Sequence, residues 1–494
     1  MIRVLFVTSE LAPLAKTGGL ADVAAALPRA LRSSGVDCRV LIPGYRAIRS
    51  ALSNAREVAS VDPPPALPAA RIVEGKLDGA PAFIVDCEPL YARDGGPYHD
   101  NDGREWPDNA QRFALLSWAA AMLGSNTCPT TWRADVVHCN DWQAGLAPAY
   151  LHFADQPRAA TVFTVHNIAY QGNFHRDLVG ALGLPPSCFD MHGVEFHGKL
   201  SFLKAGLYYS DHITTVSPTH AAEIQTEAFG HGLHGLLHGR RHRLIGIVNG
   251  IDTAVWNPAK DSHIAQRYTT WSLHRKRVNK AQLQRQLGLG VDTGVPLFGM
   301  VGRLVPQKGV DLVLEVLAEL CGLPAQLAVL GTGEQGITVA LQTAATRAPR
   351  RIAVTIGFDE ELAHRIQAGA DFFLMPSRYE PCGLSQMYSQ RYGTPPVVHA
   401  TGGLADTVTH CNPETLSAGT ATGFQFQFFN RRSLLDAIAA ASSSYRNRRV
   451  FRSLQQNGMR RDFGWQSGAR AYCELYGGLH MQMAARQRND VRMA

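Results

Sequence analysis

No apolar run in this sequence reaches the ~18 residues that a bilayer-crossing helix needs, which excludes a spanning segment. The nine cysteines form no CxxC pair and their number is odd, so free thiols in a reducing compartment are expected rather than a disulfide framework or a zinc site. Long basic runs are missing too. The densest cluster, HGRRHR at 238–243, is too short for a nucleic-acid tract, and the formal charge of +7 is otherwise dispersed. That balance suits a small anionic substrate at least as well as DNA or RNA. The opening residues MIRVLFVTSE already read as a core strand, leaving no room for a secretion leader. The expected location is therefore cytoplasmic, with no membrane or nucleic-acid partner.

What is present is a succession of short apolar, β-branched runs. They are RVLFVT, CRVLIP, AFIVD, DVVHCN, TVFTVH, HITTVS and LIGIVN in the first half, then PLFGMVGRL, QLAVLG, RIAVTIG, DFFLMP and PPVVHA. Continuous apolar strands alternating with helical stretches predict parallel sheets covered on both faces. At 494 residues, 45% of them apolar, the chain has material for two or three cores. The turn-rich passage NGIDTAVWNPAKD at 249–261 is the natural break. The expected fold is α/β, with two Rossmann-like, doubly wound domains facing across a deep cleft, over residues 1–250 and 260–464, followed by a segment 465–494. In that last segment Trp465, Ala469, Tyr472 and Leu475 share one helical face. The proline-rich DPPPALP at 62–68 reads as a surface loop.

The string TGGLAD occurs twice, after IRVLFVTSE and again after PPVVHA, each time between an apparent strand and a helix start. In doubly wound sheets ligands sit at the carboxyl ends of strands, and paired glycines there let backbone approach an anion closely. A tight turn alone would also explain the glycines. In VGRLVPQKG, Arg303 and Lys308 follow a strand closely enough to reach one diphosphate, a planar fork and a point charge together. Two solvated surface cations are the plain alternative. In PSRYEPCGLSQ, Glu380 stands between a strand end and a helix start, where a carboxylate can bind sugar hydroxyls or merely complement the helix dipole.

These residues carry a resemblance to the bacterial glycogen synthases and the related plastid starch synthases, which are retaining glycosyltransferases of the two-domain GT-B fold. It runs from residue 2 to about residue 476, through KTGGLADV, GGPYHDNDG, NDWQAG, TVHNIAYQG, VSPTHAAEI, VNGID, VGRLVPQKG, PSRYEPCGLSQ and TGGLADTV in order. The resemblance implies transfer of glucose from a nucleoside diphosphate glucose, ADP-glucose above all, to the non-reducing 4-OH of glycogen or another α-1,4-glucan, with retention and without a cofactor or metal. It assigns Arg303 and Lys308 to the diphosphate and Glu380 to sugar hydroxyls, with Cys382, Gly383, Leu384 and Ser385 on the same donor loop. Lys16, Gly18 and Gly19 would complete the phosphate site from the other domain. His166 would sit beside the reacting glucose, making Lys16, His166, Arg303, Lys308 and Glu380 the catalytic set. Glu10, Tyr98, Asp141, Trp142, His166, Asn167 and Asn249 would line the acceptor side. Phe358 falls where an aromatic stacks on the base, and the last helix is expected to pack on the first domain.

The chain departs from the family in places. NDWQ at 140–143 replaces the usual HDWH and Phe358 stands where Tyr is common, while Tyr388, at the place of the second Glu in many related transferases, is the usual residue in glycogen synthases. Three other patterns invite different readings. GTGEQG at 331–336, with Asp359 roughly 20 residues on, has the form of a dinucleotide fingerprint and suggests an NAD(P)-dependent oxidoreductase. It is not in the first βα unit of its domain, which argues against that reading. DND at 100–102 resembles a Mn²⁺ motif but lies in a glycine-rich loop, and the histidines from His231 to His242 lack a nearby Cys or carboxylate partner. A retaining transferase with a small sugar acceptor would keep the same cations and Glu380. A noncatalytic sugar-binding protein would have no use for them.

Overall fold

The computed structural model describes residues 1–154 and 157–493. The chain forms two compact units, one of Met1–Gly250 with Trp465–Ala494 and one of Ile251–Gly464.

The first unit is built on a nine-stranded sheet ordered Leu244–Gly246, His212–Thr215, Ala160–Val165, Val136–Asn140, Arg3–Val7, Asp37–Pro43, Ala80–Asp86, Ala70–Leu77, Ser53–Val61. From the Leu244–Gly246 edge through Ala80–Asp86 every pairing is parallel. These strands lack polar alternation because both faces are covered, and Phe6, Val137 and Val162 are wholly buried. The other edge departs from the expected parallel pattern. Ser53–Val61 and Ala70–Leu77 pair antiparallel, and DPPPALP is the connection between them. Ser53–Val61 is mostly exposed, so it has no apolar run to announce it.

The helix Gly19–Ser33 buries Leu20, Val23, Ala24, Leu27 and Leu31, a spacing of three and four that keeps one face on the sheet. The C-terminal helix Gln466–Met493 belongs to this unit and touches Gly19–Ser33 and the strands Val136–Asn140 and Ala160–Val165. Its buried stripe is Ala469, Tyr472, Tyr476 and Leu479, continuing from Trp465 just before the helix. Leu475, expected on that face, is only half-buried at its edge, because the 3.6-residue period carries the stripe on to Tyr476.

The second unit has a six-stranded sheet ordered Ile352–Ile356, Gln326–Gly331, Leu297–Val301, Phe372–Met375, Pro396–His399, Phe424–Phe426, all parallel. The three-residue strand Phe424–Phe426 was too short to read from sequence. Leu297–Val301 is first in chain order yet lies in the middle, so the winding reverses between it and Phe372–Met375. In the first unit the reversal falls between Arg3–Val7 and Val136–Asn140. At such a point two loops diverge at the carboxyl ends of neighbouring strands and leave a crevice for a ligand. Among the described residues no helix is long and apolar enough to cross a membrane, and all nine cysteines are free.

Candidate active site

The reversal in the second unit brings Lys308 and Glu380 together. Lys308 closes the short turn Pro306–Lys308 after the first strand, and Glu380 follows Phe372–Met375 next to it. Lys308 Nζ donates to Glu380 Oε2 at 2.5 Å, and Ser377 Oγ donates to the same oxygen at 3.0 Å. The carboxylate is buried and the ammonium half-buried. Gly309 then starts the helix Val310–Gly322 with φ +69°, and a Cβ there would lie 1.9 Å from Pro376 O, so only glycine lets the two loops touch. Arg378 N donates to Gln307 O at 2.9 Å, and the Arg378 guanidinium pairs with Asp311. Arg303 is exposed beside this turn and donates to Gln307 Oε1 at 3.1 Å.

Beyond Glu380 the loop turns through buried Cys382 and half-buried Gly383, the latter at φ +72°, to Leu384 and the short helix Ser385–Arg391. Gln386 Nε2 clamps it by donating to Cys382 O at 3.1 Å and Gly383 O at 2.9 Å. The second TGGLAD packs beneath. Gly402 has φ +44°, with a virtual Cβ 2.0 Å from Glu380 O, and that of Gly403 would be 2.1 Å from Cys382 O. Gly403 N donates to Glu380 O at 3.0 Å. Its glycines serve close backbone contact, holding the Glu380 loop in place.

The first TGGLAD is built differently. Lys16, Thr17, Gly18 and Gly19 are exposed, and a Cβ on Gly18 would meet nothing within 4 Å. Lys16 Nζ pairs with Asp22 at 2.8 Å. Beneath the loop, Glu10 Oε2 accepts from Thr17 N at 2.8 Å and Gly18 N at 3.0 Å, while Oε1 accepts from Tyr98 Oη at 2.7 Å. Glu10 and Tyr98 thus brace the glycine loop, and burial beside Glu10 raises the Tyr98 phenol well above its ordinary value.

Across the reversal of the first unit lies the turn after Val136–Asn140. Asp141 has φ +56°, a strained backbone for a non-glycine residue, and its Oδ1 accepts from His166 N at 2.7 Å and more weakly from Asn167 N. Burial pushes its carboxyl up to about 7 despite those amides. His166 is half-buried, and burial lowers its imidazole to about 3. Asn167 Oδ1 turns back to Ala169 N at 3.1 Å. Trp142 joins an aromatic cluster with Phe113 and Phe174, at centroid distances of 5.0 and 5.8 Å, and Gly172 lies against its ring. Asn249 is buried just before the chain passes to the second unit. Sequence reasoning missed Asn140, whose Oδ1 lies 2.9 Å from His166 Nε2, and Ser377, Gln307 and Asp22 as partners, since only the folded loops bring them to the expected residues.

The remaining patterns have structural explanations. In GTGEQG, a Cβ on Gly331 would sit 1.8 Å from Gly302 O and one on Gly333 2.0 Å from Leu304 O, so these glycines pack against the Arg303 loop. Asp359, the fingerprint's acidic residue, caps the helix Glu360–Gly369 by accepting from Leu362 N. Phe358, just before it, is 81% exposed, two strands from Arg303 in the sheet. Tyr388 stacks on Trp256 with centroids 3.9 Å apart. Asp100 Oδ1 accepts from Asp102 N and Arg104 N within its own turn, each at 2.9 Å. His231 precedes the helix His234–Gly239, and His242 follows it, so the histidines share no single helix face. Among the described residues no group of three or more His, Cys, Asp and Glu could hold a metal ion.

Residues 3–239 match the starch synthase catalytic domain family and residues 286–457 the glycosyl transferases group 1 family. A glycogen synthase of Nitrosomonas eutropha is 53% identical over 480 residues, covering 96% of each chain. The catalytic domain of starch synthase IV from Arabidopsis thaliana, solved bound to ADP and acarbose, superposes with a TM-score of 0.87 at 31% identity, covering 97% of this chain and 99% of that one. A sucrose-phosphate synthase from Thermosynechococcus elongatus shares the fold, with a TM-score of 0.60 at 17% identity over 98% of this chain and 100% of its own. With sequence identity sustained across both units and the same two-domain GT-B architecture, this chain belongs to the glycogen synthase family.

Proposed function

We propose that this chain lengthens an α-1,4-glucan such as glycogen, transferring glucose from ADP-glucose to the non-reducing 4-OH with retention at the anomeric carbon. The observation that carries the site assignment is the Lys308–Glu380 pair, 2.5 Å apart across the reversal of the second sheet. A cation and a buried carboxylate side by side suit a ligand that carries phosphate and sugar hydroxyls together. Arg303 adds a second cation, and the loop Cys382 to Ser385 offers backbone at the same strand ends. The relative solved with ADP and acarbose supports an adenine nucleotide and a saccharide as ligands.

In the proposed reaction the bond from the anomeric carbon to the β-phosphate oxygen breaks, and its electron pair stays with the phosphate. Negative charge therefore grows where Arg303 and Lys308 are placed, and preorganised cations stabilise that growth more than they stabilise the ground state. The acceptor hydroxyl attacks the same face, and its proton passes to the departing phosphate. Glu380 holds sugar hydroxyls, and Phe358 offers a flat surface for the adenine. Glu10 and Tyr98 contribute by shaping the Lys16–Gly19 loop, and Asp141 by setting His166.

The test is incubation with labelled ADP-glucose and, separately, UDP-glucose, each with glycogen or with a monosaccharide, followed by chain-length analysis. Expected is label in longer α-1,4 chains, from ADP-glucose above all, with turnover intact in EDTA because protein cations meet the phosphate charge. Label found only on a monosaccharide would overturn the glucan reading. Loss in EDTA with recovery in Mn²⁺ would return the Asp100–Asp102 turn to consideration as a metal site.

A further inference from the structure

Asn140 stands where the family's usual motif has His, and it is wholly inside the fold at 1% exposure. Its carboxamide is oriented by its surroundings. Nδ2 donates to Val7 O at 3.0 Å and lies 3.4 Å from His138 O, so two carbonyls face that end of the amide. Turning the amide over would set its oxygen against both carbonyls. Oδ1 therefore faces the other way, 2.9 Å from His166 Nε2. A carboxamide oxygen can only accept, so the ring nitrogen opposite it must donate.

We propose that Asn140 selects the tautomer of His166, fixing the proton on Nε2 so that the Nδ1 lone pair accepts a hydrogen bond from a hydroxyl of the transferred glucose. This rests on the reading that places His166 at the reacting sugar. Asn140 is then a positioning residue acting through the imidazole. The backbone on either side is held as well, because Asp141 Oδ1 accepts from His166 N while Asn140 ties the ring to the first strand through Val7. Two ionisable neighbours of His166 are His138 and Asp141. His138 lies on the same strand and bonds Thr164 at 2.6 Å and Tyr476 at 2.6 Å, and burial holds it neutral. With its proton fixed on Nε2 against an amide that cannot take it, His166 works as an acceptor and not as a proton donor to the sugar. Tautomer control through the remote nitrogen is the usual way a protein gives imidazole one role.

The experiment uses the full chain labelled with ¹⁵N-histidine. Long-range proton–nitrogen correlation reports which nitrogen carries the proton, and the His166 signals are those lost in His166→Gln. Expected for the parent is a protonated Nε2 and a bare Nδ1 throughout the neutral range. Asn140→Leu should give a mixture of tautomers and lower kcat on the order of 10-fold, the effect of one misdirected hydrogen bond, with affinity for ADP kept. Asn140→Asp keeps an acceptor oxygen but adds charge. It should preserve the Nε2 proton and make kcat fall on the acid side as the ring becomes protonated. A parent spectrum with the proton on Nδ1 overturns the tautomer assignment whether or not either variant folds. The expected spectra with unchanged kcat in folded Asn140→Leu would leave the tautomer standing and overturn the contact of His166 with the sugar. Absence of glucan elongation by the parent would instead reject the underlying functional reading.

Discussion

Lys308 and Ser377 share one oxygen of Glu380, at 2.5 and 3.0 Å, so this carboxylate has two protein partners before any substrate is considered. Removing Lys308 still leaves Ser377, and the lysine itself is only half-buried, so Lys308→Ala should fold. Turnover should fall on the order of 10²- to 10³-fold, the effect of deleting one preorganised partner of a developing charge. Steady-state kinetics beside a melting curve separate the two effects. A near-normal rate would make Lys308 a brace for Glu380 and move the diphosphate elsewhere.

At the scale of elements, the repeated TGGLAD shows one string meeting two physical demands. The glycines of the first copy are exposed at the start of a 15-residue helix, whereas those of the second are buried against the backbone of residues 380–382. Gly18 has φ −151°, which any residue adopts, and open space around its missing Cβ. Gly18→Ala should therefore keep its unfolding free energy within about 0.5 kcal/mol of the parent. Gly402→Ala places a methyl 2.0 Å from Glu380 O at φ +44° and should cost about 2 kcal/mol or more, weakening ADP binding with it. Denaturant titrations of the two variants provide the comparison. Equal losses would mean that the string plays one structural part in both places.

For the whole molecule, the division of labour between units becomes measurable. Arg303 belongs to the second unit and Lys16 to the first. If the second unit holds the nucleotide, Arg303→Ala should lose both ADP affinity and turnover. Lys16→Gln should keep ADP affinity, by calorimetry without acceptor, within a few-fold of the parent while turnover drops roughly 10-fold or more, as for a lost charge-assisted contact. An ADP affinity reduced as much as in Arg303→Ala, with turnover intact at saturation, would refute that division.

Stability of the whole chain should also depend on pH with a definite sign. His138 and His166 fall from an ordinary 6.5 to about 3 on folding, so the stability they bring is present above pH 6.5 and lost as pH falls. Asp141 rises from 3.8 to about 7 and acts oppositely, losing stability as pH rises through that window. These three groups by themselves leave roughly one proton taken up on unfolding between pH 6.5 and 4, or about 1.4 kcal/mol lost per pH unit on acidification, and His152, His212, His231 and His410, also lowered by burial, act in the same direction. Urea midpoints at pH 7, 6 and 5 should fall in that order; a rise toward pH 5 would contradict the burial of these imidazoles.

By itself the sequence determined the class of fold and the chemistry on offer. Apolar runs without polar alternation specify buried parallel strands, because a strand covered on both faces has no solvent side to record. Arg303, Lys308 and Glu380 could likewise be read as groups suited to phosphate and sugar, because each follows such a strand. The mostly exposed Ser53–Val61 and the three-residue Phe424–Phe426 escaped that reading for the converse reason, one having no long apolar run and the other too few residues. Tertiary structure alone decided which strands are neighbours. The winding reversals bring residue 308 beside residue 380 and the Glu10 loop to the same end of the sheet as the Asp141 turn, across separations in sequence that no local pattern encodes. It also decided that Glu10 braces a loop, that one TGGLAD is a solvent-facing helix start and the other a buried support, and that Asn140 orients His166. Such roles depend on which polar atoms become close neighbours when water is excluded, and that proximity exists only after the sheets have formed.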